Sequence, residues 1–208
     1  MNKKIILIAA FICFSLASKA QNFDLGLKVH PLFGWLVPEE GKSNGATTGF
    51  SYGLMGDFYL KERYAFSTEF ALTTMGGSIK QGDSQNGEET EYKLKYVEIP
   101  ISLKLKTNKI GEGQLYGQFG FVPGIKVGAK ISGTITENGV SRDYDNESIS
   151  SNINPFRLSL LIGGGYEYYI DNSTRITAGL SLNNGFTDVF SAGEAKNSYV
   201  AINLGIFF

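Results

Sequence analysis

Few residues in this chain have types that could do chemistry, and their spacing argues against most of it. His30 is the only histidine, and no serine or acid is tied to it by the pattern of a nucleophile, base and orienting group. It reads as an interfacial or lumen hydrogen-bonding residue. The run Asp143-Tyr144-Asp145-Asn146-Glu147 offers the oxygen ligands that calcium takes, but lacks the glycine and terminal glutamate of an EF-hand loop; it reads as solvated loop. Gly163-Gly164-Gly165 lies inside a strand-like run with no helix after it, so it is close packing rather than a phosphate cradle. No catalytic residue, metal site or cofactor is expected.

What remains is a set of charges placed at regular positions. Lys28, Asp57, Glu69, Glu98, Lys104, Arg157, Glu167 and Arg175 all fall on the polar side of segments that alternate with period two. Their common parity is the first pointer to a fold, because only strands put every second residue on one face.

The N-terminus sets the compartment. Lys3 and Lys4 precede an apolar run from Ile5 to Ala17, and Ser18-Lys19-Ala20 makes a small-x-small cleavage site before Gln21, the pattern of a secretory signal peptide over residues 1–20. Cys13, the sole cysteine, lies within it without a lipobox context. Removing 1–20 leaves 16 basic residues (19 − 3) against 20 acidic ones, a net charge of −4 that gives no basic field for nucleic acid.

The mature region, 21–208, reads as one all-β domain. Eight alternating segments follow one another: Phe23 to His30; Phe50 to Leu60; Tyr64 to Leu72; Tyr92 to Lys106; Leu115 to Ile131; Phe156 to Ile170; Arg175 to Asn183; and Tyr199 to Phe208. Their connections run long, short, long, moderately short, long, short, long. An even strand number, ten-residue alternating segments and short turns opposite longer loops are the marks of an eight-stranded antiparallel up-and-down transmembrane β-barrel in a bacterial outer membrane. Aromatics gather at strand ends as two belts: Phe23, Phe58, Tyr64, Phe66, Tyr166, Tyr168 and Phe208 toward the periplasm, with Trp35, Phe50, Tyr52, Phe70, Tyr92, Tyr96 and Phe156 toward the outside.

Strand four carries an anomaly. Its apolar residues are even-numbered at Tyr92, Leu94 and Tyr96 but odd-numbered from Val97 to Leu105, and Pro100 cannot donate to a ladder. The phase slip predicts a β-bulge or ladder break within about two residues of Tyr96 to Pro100.

The Tyr96-Val97-Glu98-Ile99-Pro100-Ile101 run with Leu103-Lys104, the glycine-bearing strand at 115–124, the Asn183-Asn184-Gly185-Phe186-Thr187-Asp188 segment and the terminal Phe208 resemble the PorT-like outer-membrane β-barrel family of Bacteroidota. That resemblance implies an eight-stranded outer-membrane barrel and, through the family's namesake, an association with secretion that no motif ties to particular residues.

A barrel of eight strands has a lumen filled by side chains, and unpaired charges there are costly. The expected lumen network centres on Glu69, Glu98 and Lys104, with Arg157. The expected partners are outer-membrane lipid and a protein or ligand met through external loops 76–90 and 132–154. The leading reading is a non-enzymatic outer-membrane barrel, accessory to secretion or envelope integrity. The alternatives are a small barrel enzyme or lipid-acting protein, and a soluble lipocalin-like barrel, which would need Leu103, Ile162 and Ile202 packed inside.

Overall fold

The computed structural model describes residues 23–208 apart from 40–41, 84, 172 and 193–194; the expected signal peptide lies outside the described residues. Eleven strands follow in order: β1 Phe23–Pro38, β2 Lys42–Ser43, β3 Thr47–Lys61, β4 Tyr64–Gly82, β5 Gly87–Glu98, β6 Ile101–Lys106, β7 Gly113–Glu137, β8 Val140–Ser148, β9 Phe156–Tyr169, β10 Arg175–Gly185 and β11 Ala195–Phe207. Every pairing is antiparallel. β1 pairs β3, β3 pairs β4, and β4 pairs both β5 and β6. β5 and β6 pair β7, which pairs β9, then β10, then β11. The ring closes where β11 returns to β1, with Gly26 opposite Phe207. Since β5 and β6 are the two halves of one stave, the barrel has eight staves. Closure leaves no open edge around the wall, which a bilayer requires.

Period-two alternation decides which residues face out. On β6 and lower β5, Leu105, Leu103, Ile101, Ile99 and Val97 point outward while Lys106, Lys104, Ser102 and Glu98 are buried. Ile162 and Ile202 also face out. A lipocalin-like barrel is therefore contradicted: its apolar face would be the inner one. At about 3.4 Å per residue and a tilt of roughly 40°, the run from Leu105 to Val97 spans about 21 Å of barrel axis, close to the ~25 Å apolar band of an outer-membrane barrel.

Above that belt the pattern inverts. On upper β5, Lys95, Lys93 and Glu91 face out, while Tyr96 and Leu94 are buried and Tyr92 packs beside them. They join Leu32, Leu36, Met75, Ile79, Ala129, Ile153, Val189, Tyr199 and Ala201 in a hydrophobic cluster inside the upper barrel. Tyr92 and Tyr96 are thus core residues rather than members of the outer aromatic belt. The apolar parity changes because the solvent changes, lipid below and water above.

The predicted irregularity is present, but its cause differs from the expected one. Ile99 and Pro100 interrupt the stave between β5 and β6. Across the gap the register on β4 is unshifted, from Ala71 opposite Glu98 to Thr68 opposite Ile101. Glu69 donates its backbone N–H to the Pro100 carbonyl at 3.1 Å, and the return bond is the one proline cannot give. The bulge sits higher: Lys95 pairs Gly128 and Tyr96 pairs Lys126, so Val127 of β7 is the extra residue. Even-numbered residues of β5 and β6 face inward at both ends, and it is β7 whose inward set passes from even (Gly124) to odd (Ala129).

The segments expected as loops 76–90 and 132–154 are largely strand. β4 and β5 stay paired as far as Gly82 opposite Gly87, and beyond them Gln85 and Asn86 donate N–H groups to the Asp83 carboxylate at 2.8 and 2.9 Å. β7 and β8 meet at Asn138 and Gly139, both with positive φ (49° and 78°), the two-residue turn whose twist suits a hairpin. A 3-10 turn at Ser150–Asn152 then leads toward β9.

Candidate functional site

The lumen holds two groups of charges, and register decides their membership. In the lower group, Asp24 and Asp57 are direct cross-strand partners on β1 and β3, a repulsive placement unless a cation intervenes. Arg175 on β10 supplies it, contacting the Asp24 carboxylate, Asp57 at 2.8 Å and Glu167 at 3.1 Å. Lys104 reaches Asp57 at 2.7 Å and Glu167 at 3.2 Å, and Lys106 reaches Glu167 at 2.6 Å. Ser67 donates to Asp57 at 2.7 Å. The ring of Phe207 lies 3.6 Å below the Arg175 guanidinium, covering its face with a π surface.

The upper group is built around Glu69 and Glu98. Lys28 donates to Glu69 at 2.5 Å, and His30 places Nε2 3.3 Å from the same carboxylate while Nδ1 contacts Asn203 Oδ1. Glu98 receives Arg157 at 2.9 Å, the Thr73 hydroxyl at 2.8 Å and the Tyr199 hydroxyl at 3.0 Å. Glu98 and Arg157 lie on staves separated by β7, where both are opposite Gly124. A Cβ at Gly124 would come 3.2 Å from Glu98 Cγ; its absence leaves the two side chains room to meet.

Together these are five cations (Lys28, Lys104, Lys106, Arg157, Arg175) and five anions (Asp24, Asp57, Glu69, Glu98, Glu167). Of the four residues singled out from sequence, Glu98 and Arg157 meet directly, Glu69 pairs instead with Lys28, and Lys104 belongs to the lower group. Lys106, Asp24 and Tyr199 extend the network; the first two share the polar parity that marked the others. A cavity of about 20 Å³ between Lys28, His30, Glu69 and Asn203 has room for roughly one water. Above it the hydrophobic cluster closes the barrel. His30, 8% exposed, faces this interior rather than lipid or bulk water. Close packing also explains Gly165, where a Cβ would meet the Ala178 carbonyl at 2.2 Å. Among the described residues no group of acids, histidines or cysteines has metal-holding geometry.

Outside the membrane, backbone N–H groups of the turns hold carboxyls below their ordinary range: Asn86 and Gln85 act on Asp83, and Ser173 and Thr174 on Asp171.

Residues 19–191 match the model of a family described as outer membrane protein beta-barrel domain. Among solved structures, Neisserial surface protein A is 12% identical, with 88% of this chain and 97% of that chain covered and a TM-score of 0.48. Ail, the attachment invasion locus protein of Yersinia pestis, is 16% identical, with 90% and 99% covered and a TM-score of 0.46. The outer membrane enzyme PagL is 11% identical, with 86% and 97% covered and a TM-score of 0.34. No curated protein matches the chain. The family match, the closed eight-stave ring and the lipid-facing apolar belt agree, and the chain belongs to the outer-membrane protein β-barrel domain family.

Proposed function

We propose that this chain is a non-enzymatic outer-membrane barrel that presents an external β-platform to a protein or ligand partner. The observation that carries the reading is the contrast between a filled interior and a projecting sheet. The lumen is occupied by paired charges and closed above by Leu94, Tyr96, Leu36 and their neighbours. Meanwhile β4, β5, β7 and β8 continue past the apolar belt as paired strands whose outer residues are polar and exposed. A transport path has no room in such an interior, and a histidine pointing into it is poorly placed for a substrate in lipid. The platform replaces loops 76–90 and 132–154 as the recognition surface. An accessory role in secretion or envelope integrity suits this reading, through the PorT-like resemblance of the sequence.

The test replaces Ser132–Ser148 by a short turn and compares cross-linked partners recovered from intact cells. Loss of a partner captured by the full-length chain, with barrel folding retained, is the expected result. An unchanged partner set would remove the platform from the account.

A further inference from the structure

Where β5 and β7 leave the apolar belt, three lysines share one outward face. Lys93 and Lys130 are direct cross-strand partners, and Lys95 lies opposite Gly128. All three are exposed, and none takes part in an ion pair among the described residues. Like charges set directly opposite destabilise a ladder, so this arrangement favours an external anion. One acid, Glu91, shares the outward face two positions above Lys93, which leaves the three lysines in excess, and two other nearby acids are hydrogen-bonded to their neighbours. Asp145 accepts from the Ser132 hydroxyl at 2.6 Å and the Asn146 amide at 2.8 Å, and these bonds, with a smaller contribution from the charge of Lys130, hold its carboxyl below the usual range. Glu89 accepts from Asn44 at 2.6 Å. The cluster also runs against the acidic balance of the mature chain, so it is a local feature.

The lysines border a cleft of about 270 Å³ that also includes Val127, Gly128 and Ser148. Gly128 forms an open floor, where a Cβ would meet nothing within 4 Å. Directly below, Ile125 and Val127 are 62% and 56% exposed, and Phe156, opposite Ile125, is exposed beside them. Cationic head-level groups above a greasy wall suit a molecule with an anionic head and apolar tails.

We propose that this cleft binds the phosphorylated headgroup of an outer-leaflet lipid. The phosphate meets Lys93, Lys95 and Lys130, and the acyl chains lie along Val127, Ile125 and Phe156. The site is independent of the partner reading above and stands whether or not the platform has a protein ligand.

Native mass spectrometry of the full-length protein in detergent, with added bisphosphorylated lipid A, tests it. The wild type should retain one lipid, and K93Q/K95Q/K130Q should retain about tenfold less or lower still. A control triple, K80Q/R142Q/K196Q, removes equal external charge from three separate strands away from the cleft and should bind as the wild type does. Gly128→Glu keeps the three lysines but gives them an internal counter-ion; it should also lose the lipid, and it should unfold at a higher temperature. Equal retention by wild type and K93Q/K95Q/K130Q, equal loss in both triples, or displacement of the lipid by inorganic phosphate alone would each overturn the proposal.

Discussion

The lower and upper halves of this barrel solve opposite solvation problems with the same strands. Below Val97, lipid covers apolar side chains and the charges turn inward to find one another; above it, water receives Lys95 and Lys93 while Leu94 and Tyr96 turn inward. Each half would be inside-out in the other's surroundings. On β5 and β6 the inversion is visible as a change of apolar parity with no change in which residues face in. On β7 the bulge at Val127 shifts the inward parity at the same height, so the apolar residues Ile125, Val127, Ala129 and Ile131 remain odd-numbered throughout. A bulge on one stave and a parity change on its neighbour are two responses to a single boundary.

The comparison breaks most severely where a lumen charge loses its partner. Asp57→Asn leaves Lys104 and Arg175 buried with one fewer anion, and should lower unfolding free energy by about 3–5 kcal/mol in detergent denaturation. In the upper half the corresponding injury is a cavity: Leu94→Ala should cost about 2–5 kcal/mol without altering lower-lumen pairing. The outer face separates the halves by size of effect. Ile101→Arg puts a charge in lipid and should cost roughly 2–4 kcal/mol, whereas Lys95→Leu, on the same face but at the water boundary, should stay within about 0.5 kcal/mol. The smallest effect belongs to the β4–β5 turn. Because the Asp83 carboxyl is depressed below its ordinary 3.8 by N–H donors, the stabilisation is present above that value and fades as pH falls through the lower folded value. Amide exchange at Gln85 and Asn86 should therefore quicken, relative to the intrinsic rate, on acidification below about pH 4.

Much of the wall was legible because alternation and loop rhythm are local properties of the chain. The inward parity of Glu69, Glu98, Lys104 and Arg157 could be read directly from it. Their partners could not, since pairing depends on the register between staves distant in sequence, as with Glu98 and Arg157 on either side of Gly124. The external hairpins escaped for a different reason. Residues 132–148 alternate polar with polar, so no greasy face announces a strand, although Asn138-Gly139 carries a hairpin turn signature. The parity change in strand four was legible as an anomaly but not as a solvent boundary, because a slip in pairing and a change of solvent leave the same mark on one strand.

The most direct measurement of the two-solvent barrel is thiol accessibility along the single stave of β5 and β6. The only cysteine, Cys13, lies in the expected signal peptide, so single cysteines at Lys93, Lys95, Val97, Ile101, Ser102 and Leu103 can be probed in reconstituted vesicles with a charged, membrane-impermeant reagent. Lys93→Cys and Lys95→Cys should react readily, Val97→Cys, Ile101→Cys and Leu103→Cys should be shielded by lipid, and Ser102→Cys should be shielded by the filled lumen. Rapid labelling at position 102 would reveal an open, water-filled interior, and labelling at 101 or 103 would place the stave outside the bilayer; either result would contradict the account.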